Sequence, residues 1–298
     1  MVLIVQSIHR NKIAFFGTSH TYGDCAEGIS HNKNQKKFLK NPWPALFAKK
    51  LNKEFYNFGI GGSDNTTMLD AILEAFNRGT MDDVDTLILE PRLSFDTVRL
   101  PYDNINYNVM AESKWGKIDY STHWLDAGRH TQEHDWSQPT PLTESLWIRF
   151  ALIDLNKEEK FKKRMNADYV GSDKSIEDKD IRKYVELTKL YMSNSKYLYY
   201  LNLQFIKNVY MLCKGHGIDF YWLNFESYPF EDVKTFFDND KNLIDVCLNP
   251  TKNVRTHIRE IQPEKFREFE CSCKHFNDKA QPHISSYLLK GYNERTNS

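Results

Sequence analysis

Long apolar runs are what this chain most clearly lacks. The opening MVLIVQSIHRNK is apolar over Met1–Val5 only, then turns polar and basic. A membrane-spanning helix needs about 20 apolar residues, and a secretory leader needs a longer apolar stretch with a small-residue cleavage site. The expectation is a cytoplasmic chain with no membrane partner. Cysteine is scarce too, five in 298 residues, scattered except for Cys271 and Cys273. An odd, irregular set does not make a disulfide framework. That pair has only His275 beside it as a further ligand, short of a zinc set, so free thiols and no metal are expected. Nor is there an excess of charge: 40 basic side chains balance 40 acidic ones, which argues against a nucleic-acid partner. Internal repeats and low-complexity tracts are absent.

Two cofactor-like signatures also fall short. Gly59-x-Gly61-Gly62 follows an apolar segment but lacks the dinucleotide-binding spacing, and no lysine follows as in a phosphate-binding loop. His130 and His134 in HTQEH stand four apart, yet the order is not that of the zinc proteases. No cofactor is expected.

What is present reads as alternating strands and helices. Residues 12–17 make a strand, and NPWPALFAKKLN (41–52) a helix with Pro44 in its first turn. EFYNF (54–58) is a second strand, running into a glycine-rich turn. NTTMLDAILEAFNRG then spaces Met68, Leu69, Ile72, Leu73 and Phe76 as a helix does, with Gly79 to end it. DTLILEP is a third strand, apolar enough for burial on both faces. Such alternation implies parallel pairing through right-handed crossovers.

Residues 97–140 are polar, aromatic and irregular. Two helical stretches are predicted after them, over 141–165 and over 176–215, the second breaking near Ser193–Ser195. Ile218–Phe225 reads as another core strand, and the chain ends in a loop and a final helix. The whole is one α/β domain, 1–298, with 97–190 inserted as a cap or lateral helical layer; a separate insertion domain is the alternative. His123, Trp124 and Trp136 would line a carbohydrate site or pack the insertion's own core. The apolar helix ending at Gly215 suits either the core or a homo-oligomer interface.

Ligands gather at the carboxyl ends of parallel strands. The first strand ends in Gly17-Thr18-Ser19-His20, the second in Gly59 to Asn65, the third in Glu90-Pro91-Arg92, and a late loop adds His275 and His283. A serine, a glycine-rich turn and a histidine from separate segments are what acyl transfer by a serine nucleophile requires. Ser19 would present its hydroxyl at the sheet edge. Its own N–H, the Gly62 N–H and the Asn65 amide would face a developing oxyanion. Gly-Thr-Ser and Gly-Gly-Ser are equally ordinary turn compositions.

FFGTSHTYGD resembles the first block of the SGNH (GDSL-like) hydrolases, where a glycine, usually an aspartate, and the nucleophilic serine follow strand one. NPWPALFAKKLNKEFYNFGIGGSDN extends the likeness, especially to bacterial and phage-encoded members. CKHFNDKAQPH is similar to the last block, which carries the catalytic histidine. The resemblance covers roughly residues 12–95, with an echo at 271–290. It implies a three-layer α/β/α fold with a parallel central sheet (SGNH/flavodoxin-like). It also implies Ser19 as nucleophile, His275 as general base, and the N–H groups of Ser19 and Gly62 as oxyanion hole. The reaction implied is hydrolysis of a small acyl ester, such as an acetylated carbohydrate, or acyl transfer where a hydroxyl replaces water.

The chain departs from the pattern in three places. Thr18 replaces the usual aspartate. LILEPRLSF lacks the asparagine of the third block, leaving Asn65 or Arg92 to stand in. Cys273 and Ser272 occupy positions where an aspartate would orient the histidine, so Glu270 or Asp278 would have to substitute. His283 is the rival base or a structural histidine at a helix start. A member that kept the fold and lost its chemistry would be a binding or structural protein, for example of a virus particle.

Overall fold

The computed structural model describes residues 10–23, 42–59, 65–93, 97–102, 112–113, 116–117, 146–151, 195–225, 240–261, 263–271 and 275–297. Its first half-domain follows the alternation in the sequence: β1 (Lys12–Gly17), α1 (Ser19–Tyr22), α2 (Trp43–Lys50), β2 (Glu54–Gly59), α3 (Asn65–Asn77) and β3 (Val84–Leu89). Then come β4 (Thr97–Tyr102), the two-residue strands β5 (Glu112–Ser113) and β6 (Gly116–Lys117), and β7 (Leu146–Ala151). The last part holds α4 (Ser195–Gly215), β8 (Asp219–Trp222), α5 (Lys241–Asp245), α6 (Val254–Ile261), a 3-10 segment (Pro263–Phe269) and α7 (Gln281–Thr296).

Four strands form a parallel sheet in the order β2-β1-β3-β8. Strand β1 shows why. Its residues alternate between two apolar clusters, as a period of two demands of a strand covered on both faces. Ala14 and Phe16 join Met68, Ile72 and Ala75 of α3 and Phe205, Ile206 and Val209 of α4. Ile13 and Phe15 join Trp43 and Phe47 of α2, Ile258 of α6 and Ile284 and Leu288 of α7. Burying a side chain such as Phe15 or Phe16 contributes about 1.5–3 kcal/mol. On α3, Leu73 departs from the expected buried stripe and is 42% exposed.

The chain leaves β1 towards β2 on one side and returns to β3 on the other. The carboxyl ends of β1 and β3 therefore flank the point where strand order reverses, which is where open α/β sheets bind ligands.

The expected helix over 141–165 is corrected in its first half, where residues 146–151 are strand β7, paired antiparallel with β4. The β-branched and aromatic content of LWIRFA favours a strand, and a short apolar run does not by itself distinguish the two. The expected irregular stretch 97–140 likewise contains β4 and the small ladder of β5 and β6. The rest of the expected insertion, 97–190, lies outside the described residues. Helix α4 is described from Ser195 to Gly215; residues 176–194 of the expected stretch lie outside the described residues.

Candidate functional site

The short α1 begins directly after β1. Thr18 caps it: the Thr18 Oγ1 accepts from the His20 N–H at 3.4 Å, and the Tyr22 N–H donates to the Thr18 carbonyl at 2.9 Å. Gly23, at φ 92°, closes it by donating its N–H to the Ser19 carbonyl. Ser19 thus stands on the first turn, at the carboxyl end of the strand, half-buried.

The histidine facing it comes from the other end of the chain. His275 Nε2 lies 2.7 Å from Ser19 Oγ. For Nε2 to accept the hydroxyl proton the ring must carry its own proton on Nδ1. The backbone around His275 is pinned on both sides. Cys271 donates its N–H to the His275 carbonyl at 2.9 Å, Asn277 donates to the Phe269 carbonyl at 2.8 Å, and Glu270 and Phe276 form an antiparallel bridge. Phe276 is buried in the core and so anchors its neighbour. Buried Gln281 ties this loop to α2, donating to the Phe276 carbonyl at 3.0 Å and accepting from the Trp43 N–H at 2.9 Å.

Beneath α1 lies a polar cradle that the sequence reading did not assign. The carboxylate of buried Glu90, just past β3, accepts from the Thr18 N–H at 3.3 Å, the Thr18 hydroxyl at 2.5 Å, the Thr21 N–H at 2.9 Å and the Thr21 hydroxyl. Asn57, fully buried in β2, donates to the Thr21 carbonyl at 2.9 Å and accepts from the Gly59 N–H at 3.0 Å. The approach is close enough to require glycine. A Cβ on Gly17 would stand 2.3 Å from Thr21 Oγ1, and one on Gly59 would stand 2.2 Å from the Tyr22 nitrogen.

The other expected residues are placed as follows. Asn65 spends its amide within the protein rather than offering it as an oxyanion donor. Its Nδ2 donates to the Arg92 carbonyl at 3.0 Å and to Asn202 Oδ1 at 2.6 Å, and its Oδ1 accepts from the Arg92 N–H at 2.7 Å. The planar amide has two hydrogens, and both are engaged. Arg92 therefore has its backbone fixed by Asn65, and Asn202 of α4 joins the same network. Gly62 lies outside the described residues. Glu270 forms an ion pair with Arg255 Nη1, whose guanidinium sits 4.9 Å over the Phe276 ring. Asp278 is exposed in the turn before α7. The His283 ring stands edge-on to Phe269, centroids 5.5 Å apart; the imidazole in contact with Ser19 is that of His275.

His20 is a second imidazole at this place. It stacks on Phe225 at 4.3 Å and lies 5.0 Å from the His275 ring. Its only sequence signal was adjacency to Ser19. Burial pushes the thiols of Cys213 and Cys247 up to about 12, so neither is a nucleophile at neutral pH. Among the described residues no three His, Cys, Asp or Glu side chains cluster as metal ligands do, and no helix is long and apolar enough to cross a membrane.

No protein-family model matches the chain, and no curated protein matches it.

Proposed function

We propose that the chain is a serine esterase or deacetylase with the three-layer fold of the SGNH hydrolases, acting on a small acyl ester such as an acetylated carbohydrate. The observation that carries the reading is the 2.7 Å contact of His275 Nε2 with Ser19 Oγ at the switch point of a parallel sheet. His275 accepts the hydroxyl proton as Ser19 Oγ attacks the ester carbonyl carbon. The oxyanion that forms is met by the Ser19 N–H and, following the resemblance, the Gly62 N–H. Collapse expels the alcohol, which takes the proton from His275 Nε2. Water then attacks the acyl carbon as it gives a proton to His275. Collapse breaks the bond from that carbon to Ser19 Oγ, which takes the proton back from His275 Nε2 as the acid leaves; a sugar hydroxyl in place of water makes the reaction a transfer.

The test is covalent labelling with a fluorophosphonate probe, read by intact mass and peptide mapping across pH 6 to 9. One adduct on Ser19 is expected. It should be lost in Ser19→Ala and slowed by at least ~10³-fold in His275→Ala. Folded wild-type protein that takes no label overturns the hydrolase and leaves a binding or structural protein of the same fold.

A further inference from the structure

We propose that Glu90 is the positioning residue of this site: its buried carboxylate staples Thr18 to Thr21 and thereby sets where Ser19 stands relative to His275. The catalytic consequence rests on the hydrolase reading; the positioning itself does not.

A carboxylate 2% exposed is costly unless donors satisfy it. Among the described residues two backbone N–H groups and two hydroxyls do so, from the residue before Ser19 and the residue after His20. Oε2 takes three of them and Oε1 one. The group from which the carboxylate projects is itself fixed, since the Glu90 N–H donates to the Phe16 carbonyl at 2.7 Å, extending the ladder between β1 and β3. The staple is thus anchored to the strand beside the one that carries the nucleophile, and the missing Cβ of Gly17 leaves room for it. Asn57 holds the same tetrapeptide from β2. Charge and shape both matter. Glutamine offers one acceptor oxygen and turns an amide donor towards donors, while aspartate is one methylene short. A turn released from this grip lets Ser19 Oγ drift from its bonding distance, and a displacement of about 1 Å costs on the order of 100-fold in rate.

The experiment compares the wild-type chain with Glu90→Gln, Thr21→Val and Ser19→Ala. It reads fluorophosphonate labelling against probe concentration and the ¹⁵N resonance of His275 Nε2, with circular dichroism to establish folding. In Glu90→Gln the maximal labelling rate should fall about 100-fold, with the concentration for half-maximal rate unchanged because Glu90 does not meet the probe. The Nε2 resonance should move towards its position in Ser19→Ala, which a residue serving stability alone would not cause in folded protein. A folded Glu90→Gln with wild-type rate and resonance overturns the proposal. If Glu90→Gln does not fold, Thr21→Val, which removes one hydroxyl and keeps the carboxylate, should show both changes, with a rate loss of about tenfold. Wild-type values in Thr21→Val would then overturn it. If wild-type protein takes no label, the hydrolase reading falls, and the resonance still decides: a shift supports the staple and none refutes it.

Discussion

At its amino end the sheet meets solvent through Lys12, whose ammonium lies 2.7 Å from Asp83, 3.4 Å from Glu54 and 3.0 Å from the Tyr56 hydroxyl. Lys53 and Asp85 pair beside it at 2.6 Å. At the carboxyl end the acid Glu90 is buried and held by hydroxyls and backbone N–H groups. In the first region opposite charges neutralise one another in partial contact with water, where each pair contributes little. In the second, directional donors satisfy a charge out of water, so losing one exposes a large desolvation cost. The amino end tolerates rearrangement; the carboxyl end prescribes coordinates. Chemistry that depends on tenths of an ångström is expected at the second.

Three substitutions sharpen that contrast, in falling order of effect. Gly59→Ala should be the most damaging, because its Cβ would meet backbone atoms of Thr21 and Tyr22 at 2.7 Å or less and no rotamer relieves it. A loss of about 1–3 kcal/mol in urea unfolding is expected, together with slower labelling of Ser19. A stability equal to wild type would show that α1 is not seated against β2. Lys12→Met should cost less than about 1 kcal/mol and shrink further in 1 M salt. Burial works against the Lys12 charge, but the bonds to Asp83 and Tyr56 prevail and hold its ammonium above the ordinary lysine value. The stability it contributes is therefore complete at neutral pH and lost only as alkali rises through the folded value. A loss as large as that of Gly59→Ala would erase the distinction between the two ends.

The smallest effect belongs to His257, which stacks on Tyr287 at 3.8 Å. Burial, then Lys252, His283 and Lys290, hold its imidazolium below the ordinary value, against the pull of Glu260. The unfolded chain takes up this proton first, so native stability declines as pH falls through the ordinary histidine range. His257→Gln should flatten that decline between about pH 7 and 5, measured by thermal unfolding; an unchanged slope would mean the site is solvated.

The first five major elements were legible because each is a local pattern: apolar Ile13–Phe16, Pro44 opening α2, the helical spacing of Met68 and Ile72. Strand β7 was not, since an apolar run of strand length also fits a buried helix segment, and its partner β4 is far away in the sequence. Ser19, as the residue just past β1, was readable from its neighbours, and its pairing with His275 came from resemblance rather than spacing. The cradle was invisible for a plain reason. Glu90, Thr21 and Asn57 belong to three different segments, and a glutamate before Pro91 reads like any strand end. Asn65 misled in the opposite way, its composition suiting an oxyanion donor while its geometry closes a loop.

The contact between Ser19 and His275 joins residues 256 positions apart. During synthesis the serine, its turn and its cradle all precede the imidazole, which follows Ser19 by 256 positions. Chains grow at about 5–20 residues per second, so for on the order of ten seconds or longer the nascent chain carries the Ser19 hydroxyl without the imidazole that faces it in the folded protein. The contact therefore marks a chain that has been made through residue 275. A chain cut between residues 225 and 275 includes all four strands of the parallel sheet yet lacks this contact, and on the proposed mechanism labelling of Ser19 would count only chains made through residue 275.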